Sequence, residues 1–207
     1  VTDIINDNGA YIDRLNIAVH TVEMPGGKPT STLAMVIDGG LLVDLAELRR
    51  EVERLNWSVG ENGQLVHQVF ALQERYQHTS WGADGAQAFY LLEIAQWLGT
   101  AAGGGIIGGY AYDRLKGIMT RIQHAKGPAW KPPELNALIA NQRAQQMVAA
   151  SFKDVDLSQL KVDATTIADG KATVVMRAGD GSTFTVQPSL SDYGAIGTIT
   201  RVYPDAQ

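Results

Sequence analysis

Apolar residues recur at alternating steps of four and three along Leu41, Leu45, Leu48, Val52, Leu55, Val59, Asn62, Val66, Val69, Gln73 and Tyr76, with nine of these eleven positions apolar. A period of about 3.5 residues held this far is the mark of a helix packed lengthwise on another helix. Glu61-Asn62-Gly63 by itself reads as a turn, but the seam stays in phase across it, so one helix bent at Gly63 is expected. From Leu41 to Thr79, at roughly 1.5 Å per residue, it would be about 58 Å long. A helix of that length needs a partner running beside it.

The chain supplies one. After Trp81-Gly82, with Gly85 to permit a tight reversal and Asp84 to cap the next helix, a second seam runs through Ala88, Leu91, Ala95, Leu98, Ala102, Gly105, Gly109 and Tyr112. Its small residues would let the second backbone lie close against the Leu and Val ridge of the first. Six glycines between Gly99 and Gly109 cost such a helix roughly 6 kcal/mol relative to alanine, which only tertiary or partner packing could offset. The run Ile94 to Tyr112 is also nineteen residues without a charge, close to the length of a membrane span. Gln96 and Thr100 lie inside it, and its strongly apolar aliphatics are only Ile94, Leu98, Ile106 and Ile107, so packing in water is preferred over insertion.

Trp81-Gly82, then Gly85 and Ala88-Phe89 after a long first helix, with Trp97 further along, resemble the turn of the WXG family, the small helical-hairpin proteins exported by bacterial type VII secretion systems. The resemblance extends over about Leu41 to Ile122. It implies a non-enzymatic, secretion-associated assembly protein that pairs with itself or a related helical-hairpin protein. The partner contacts would be Trp81, Gly82, Gly85, Phe89 and Trp97, together with Gly105 and Gly109 of the small-residue seam; an aromatic beside a tight turn is a natural interaction anchor.

On either side of the hairpin the pattern changes. Asn16 to Met24 and Thr32 to Asp38 alternate as strands around Pro25-Gly26-Gly27-Lys28-Pro29, which gives an N-terminal β-hairpin over residues 1–40, with a helix from Ala10 to Met24 as the competitor. Residues 41–126 form the helical hairpin. Gly127-Pro128 to Pro132-Pro133 is a clear boundary, and in 127–207 it is followed by a helix over Glu134 to Ala150 and a β-meander: Ala172 to Met176, a turn at Asp180-Gly181, Phe184 to Val186, and Thr198 to Tyr203. The N-terminal hairpin could join that meander in one sheet. The expected class is α+β: a long antiparallel helical hairpin plus a further helix and a small antiparallel sheet.

Composition narrows the role. With 45% hydrophobic and 19% charged residues the chain belongs among globular proteins. A net charge of -5 without a basic patch argues against nucleic acid as partner. The absence of cysteine excludes disulfides and thiolate metal sites. A first residue of Val, as a non-ATG start would give, points to a bacterial gene; no basic region precedes an apolar core, so a cytoplasmic location, or secretion without a cleaved signal, is expected.

No chemistry stands out. Gly103-Gly104-Gly105-Ile106-Ile107-Gly108 matches a dinucleotide fingerprint, but a helix is expected before it and no acid lies about 20 residues on. His67, Glu74 and His78 share a helical face that is more economically a solvated one than a zinc site, and His20 and His124 have no recognisable partners. Carboxylates such as Asp44, Glu47, Glu51 and Glu53 alternate with Arg49, Arg50 and Arg54 as ion pairs do. No catalytic residue, metal or cofactor is expected. A protein–protein assembly role leads, with a membrane-active effector or pore component that inserts residues 94–112 as the alternative.

Overall fold

The computed structural model describes residues 11–37, 43–59, 64–67, 69–77, 86–95, 109–126, 134–191 and 194–204. The expected strands at the two ends of the chain are present. Strand β1 (Tyr11–Val22) pairs antiparallel with β2 (Ser31–Ile37), Ala18 opposite Ala34. Strands β8 (Lys161–Ala168), β9 (Lys171–Arg177), β10 (Thr183–Ser191) and β11 (Gly194–Val202) form an antiparallel meander. Asp169 and Gly170 both take positive φ in the β8–β9 turn, as a two-residue hairpin loop requires. At the β9–β10 turn Gly181 has φ +83°, and the Asp180 carboxylate accepts hydrogen bonds from the Ser182 backbone N–H and hydroxyl. Strand β2 then pairs with β11, Ala34 opposite Gly197, which unites both ends of the chain in one sheet.

The middle of the chain overturns the helical hairpin. Only Leu45–Glu53 is helical among the described residues of the first seam (α1), after the two-residue strand β3 (Val43–Asp44). A 3-10 turn at Arg54–Asn56 comes next, then β4 (Trp57–Val59) paired with β5 (Leu65–His67), and then β6 (Val69–Gln77). The second seam begins as strand β7 (Ala86–Ala95), which pairs antiparallel with β6 and parallel with β1. The physical cause lies in competing periods. Val59, Val66 and Val69 are β-branched, and β7 buries Ala86, Ala88, Tyr90, Leu92 and Ile94 in strict alternation, a period of two that overrides the few matches to steps of three and four. The result is a mixed sheet in the order β6-β7-β1-β2-β11-β10-β9-β8, with β3 paired to the start of β1.

Helices cover the two faces of this sheet unequally. On one face α1 and α2 (Gly109–Lys126) bury Leu45, Leu48, Val52, Leu115, Ile118 and Met119 against Leu15, Ile17, Val19, Leu33, Met35, Ile37, Tyr90 and Leu92. The Asp44 carboxylate caps α1, accepting from the N–H groups of Ala46 and Glu47 at 2.8 and 3.0 Å. On the other face α3 (Ala137–Ser151), capped by the Asn136 side chain, buries Ala140, Ala144, Met147 and Val148 against Ala34, Val36, Val174, Met176, Phe184, Val186 and Ile199. Helix α3 therefore sits over the β2-β11-β10-β9 half, and α1 with α2 over the β6-β7-β1-β2 half. Exposed ion pairs join α1 to its surroundings: Arg49 to Glu74 of β6, and Glu51 to Arg54 and to Arg121 of α2.

A buried charge closes the α3 face. Arg201, 2% exposed, lies against the rings of Phe152, Phe184 and Tyr203, while its guanidinium donates to Asp154 at 2.7 Å and Asp180 at 2.9 Å. Two carboxylates and three ring faces compensate a cation that could not otherwise leave water. Nearby, His20 stacks on Phe152 with ring centroids 5.2 Å apart, and its Nε2 has no hydrogen-bond partner among the described residues.

This packing is open to two measurements. A Cβ at Gly197 would fall 2.1 Å from the Gln187 carbonyl oxygen, so Gly197→Val is expected to cost at least about 2 kcal/mol in denaturant unfolding. A cost below about 0.5 kcal/mol would mean that the β10–β11 contact is looser than described. Burial lowers the His20 pKa from 6.5 to about 4, so between those values the unfolded chain binds the extra proton and the folded chain does not. Stability is then full above pH 6.5 and falls by about 3 kcal/mol as the pH drops through 4. His20→Phe, which keeps the stack on Phe152, should flatten that slope when melting is followed against pH.

Candidate functional site

Among the described residues, the unequal coverage leaves part of the sheet open. On the α3 side, β6, β7 and the start of β1 extend beyond the helix, and the register sets their side chains in rows. Arg75 of β6 stands beside Phe89 of β7, which stands beside Asn16 of β1; in the next row Gln77 stands beside Gln87. The C-terminal end of α3 overhangs these rows with Ala149 and Ala150, and Lys153 lies just after it. Together these eight residues line a cleft of about 240 Å³.

Its electrostatics are one-sided. Lys153 places its Nζ 4.9 Å from the centroid of the half-buried Phe89 ring, an attraction between a cation and the negative ring face. Partial desolvation, and then the charge of Arg75, hold the Lys153 pKa below its usual value. Among the described residues no carboxylate lies within ion-pair distance of Arg75 or Lys153. Asn16, Gln77 and Gln87 add only amides. The acid on this face of β7 is Glu93, four residues beyond Phe89, where its carboxylate accepts a hydrogen bond from the Gly26 N–H at 3.1 Å. A cleft with two cations, three amides and a ring can bind and orient an anionic group; its lining residues hold no paired acid and base.

On the opposite side of β6 the surroundings differ. Glu74 is tied to Arg49 at 2.6 Å and accepts from the Tyr90 hydroxyl at 3.3 Å; burial and then the Glu74 charge push the Tyr90 pKa above its ordinary value. Beside it Leu72 is 41% exposed, and Phe70, at an irregularity of register between Val69 and Ala71, is 45% exposed. Strand β6 ends the sheet order, so among the described residues its outer edge has no strand beside it.

Of the residues expected to meet a partner, Trp81, Gly82, Gly85, Trp97 and Gly105 lie outside the described residues. Phe89 belongs to the cleft, and Gly109 opens α2. The glycine fingerprint at 103–108 also lies outside them, as does His78 of the histidine trio. Among the described residues no group of three metal-ligating side chains exists, and no helix is long and apolar enough to cross a membrane. Arg75, Gln77, Gln87, Asn16 and Lys153 were not singled out from sequence. The one local signal was the alternation Gln73, Arg75, Gln77, which a helical reading hides.

Compared with known proteins, the chain matches no family model, no curated protein and no solved structure. The WXG likeness, with its helical hairpin and its link to secretion, therefore has neither fold nor family behind it: the Trp-Gly dipeptide falls between two sheet strands, β6 and β7, rather than between two helices.

Proposed function

We propose that this chain is a non-enzymatic assembly protein that associates with a second copy of itself through the outer edge of β6. The observation that carries the reading is the nine-residue edge, unpaired among the described residues, bearing two large exposed apolar side chains, Phe70 and Leu72. An open strand edge offers a row of backbone donors and acceptors to another strand, and soluble proteins ordinarily guard such edges with charge or proline. The other end of the sheet, β8, carries charge earlier in the strand at Lys161 and Asp163, a register shift between Val162 and Ala164, and a single large exposed apolar side chain, Ile167, against the two of β6.

Self-pairing also has a favoured register. Antiparallel association about a two-fold axis at Leu72 sets Leu72 against its own copy and Ala71 against Gln73, with no like charges opposed. Axes at Glu74 or Arg75 would set acid against acid or base against base. Like-charge opposition across strands is destabilising, so the sequence of β6 selects among its own alignments.

Light scattering on the full chain tests the reading. The wild-type chain is expected at twice the mass of one chain at protein concentrations on the order of 100 μM, where contacts worth a micromolar dissociation constant are saturated. Leu72→Lys places two ammonium groups across the axis and should return the single-chain mass with an unchanged melting transition. A monomeric wild type, or a Leu72→Lys variant that still dimerises, would rule out assembly through this edge.

A further inference from the structure

We propose that the cleft between the end of α3 and strands β6, β7 and β1 is a binding site for a carboxylate carried on a small apolar body. Arg75 and Lys153 would supply the charge, and Phe89, Ala149 and Ala150 the apolar floor. The inference stands apart from assembly through β6, because the cleft lies on the α3 face and Leu72 on the other.

Three features select this ligand chemistry. The first is positive charge, on an acidic chain, that meets no carboxylate among the described residues. The net charge is -5, and Arg49, Arg54, Arg121, Arg177 and Arg201 each meet a carboxylate. Arg75 and Lys153 instead stand close enough to depress the Lys153 pKa, after desolvation has done so. Such a doublet is stabilised by an arriving anion, and a guanidinium offers the planar fork that a carboxylate fits.

The second feature is the floor. Lys153 already lies over the Phe89 ring, and the ring remains half exposed between two alanines and the β1 and β6 amides. An anion without a hydrophobic part would leave that surface wet, whereas a planar or branched apolar body would cover it. A volume of about 240 Å³ accommodates a ligand of benzoate size with room for an adjoining group.

The third is the direction of α3. Its C-terminal end faces the cleft through Ala149 and Ala150, and a helix C-terminus carries partial negative charge. That disfavours a doubly charged phosphate more than a singly charged carboxylate. Phosphate sites are ordinarily built from helix N-termini and glycine-rich backbone, which this cleft lacks among its lining residues.

Two-dimensional NMR of the full ¹⁵N-labelled chain, titrated with benzoate, tests the site. Saturable shifts are expected at the Asn16, Gln77 and Gln87 side-chain amides, with a dissociation constant on the order of 1 mM. Neutral benzamide should leave them unmoved. Arg75→Gln should weaken benzoate at least about tenfold, and Lys153→Met somewhat less because the ammonium is the more solvated group. Both positions are exposed, so the variants should keep the wild-type melting temperature, and Leu72→Lys should bind benzoate normally. An N-acetylated dipeptide ending in a free Phe carboxylate distinguishes the sources: tighter binding than benzoate assigns the site to a chain terminus, equal or weaker binding to a free acid. Unshifted amides in benzoate, an affinity that survives Arg75→Gln, or inorganic phosphate binding as tightly as benzoate would each overturn the assignment.

Discussion

Strand β2 is the member on which the rest of the structure depends. All of its positions from Thr32 to Ile37 are buried, because both faces of the strand carry core: Leu33, Met35 and Ile37 toward α1 and α2, Ala34 and Val36 toward α3. Its two edges are occupied as well, by β1 and β11. A strand buried on both faces and paired on both edges has no exposed backbone to lose to water, so its burial and its hydrogen bonds reinforce one another. It is also where the two cores meet across the sheet. The small side chain of Ala34 and the missing one of Gly197 opposite it keep the α3 face of this junction thin.

The candidate site is a by-product of how that junction is covered. Helices on both faces of a sheet normally overlap, but here α3 lies over β11, β10 and β9 while α1 and α2 lie over β7 and β1. By the described helices the sheet is thus covered once toward each end and twice near β2. The α3-side surface of β7 and β6, which no described helix covers, would ordinarily be polar throughout. Instead Phe89 and Leu91 remain half-buried there, beside Arg75 and Lys153. Arg201 contributes indirectly: by fixing Asp154 it holds the segment after α3, and so the neighbouring Lys153, near the Phe89 ring.

What could be read from the sequence was local. The β1–β2 hairpin announced itself by alternation around a proline- and glycine-rich loop, and the β9–β10 turn by Asp180-Gly181, because turn residues and period-two burial act over a few positions. Asp169-Gly170 carried the same signal for β8–β9 and passed unread. The middle of the chain misled for a physical reason. Leu, Val and Ala satisfy a 3.5-residue template and a two-residue template alike when many consecutive positions are apolar, and β7, with neighbours on both edges and core on one face, has such a run in Ala88 to Leu92. The turn signal at Glu61-Asn62-Gly63 lies outside the described residues, but the strands on either side of it, β4 and β5, pair antiparallel with Val59 opposite Leu65; the apparent phase of the seam overrode that signal. The cleft was beyond any local reading. Arg75, Phe89, Asn16 and Lys153 come from four separate stretches, and only the parallel β1–β7 pairing and the reach of α3 assemble them.

Strand β6 shows how one edge can serve two purposes. Successive residues of a strand face opposite ways, so Leu72, Glu74 and Tyr76 belong to the α1 side while Gln73, Arg75 and Gln77 belong to the α3 side. On the first side Glu74 is held by Arg49 and Tyr90, which fixes one of the two charges that decide which alignments of a second strand are allowed. On the second side Arg75 is left without a carboxylate among the described residues. The backbone edge between them is indifferent to sequence. A neighbouring strand added there would therefore take its register from the charges on both sides, Glu74 on one and Arg75 on the other, while Leu72 at the proposed axis stays on the face away from the cleft.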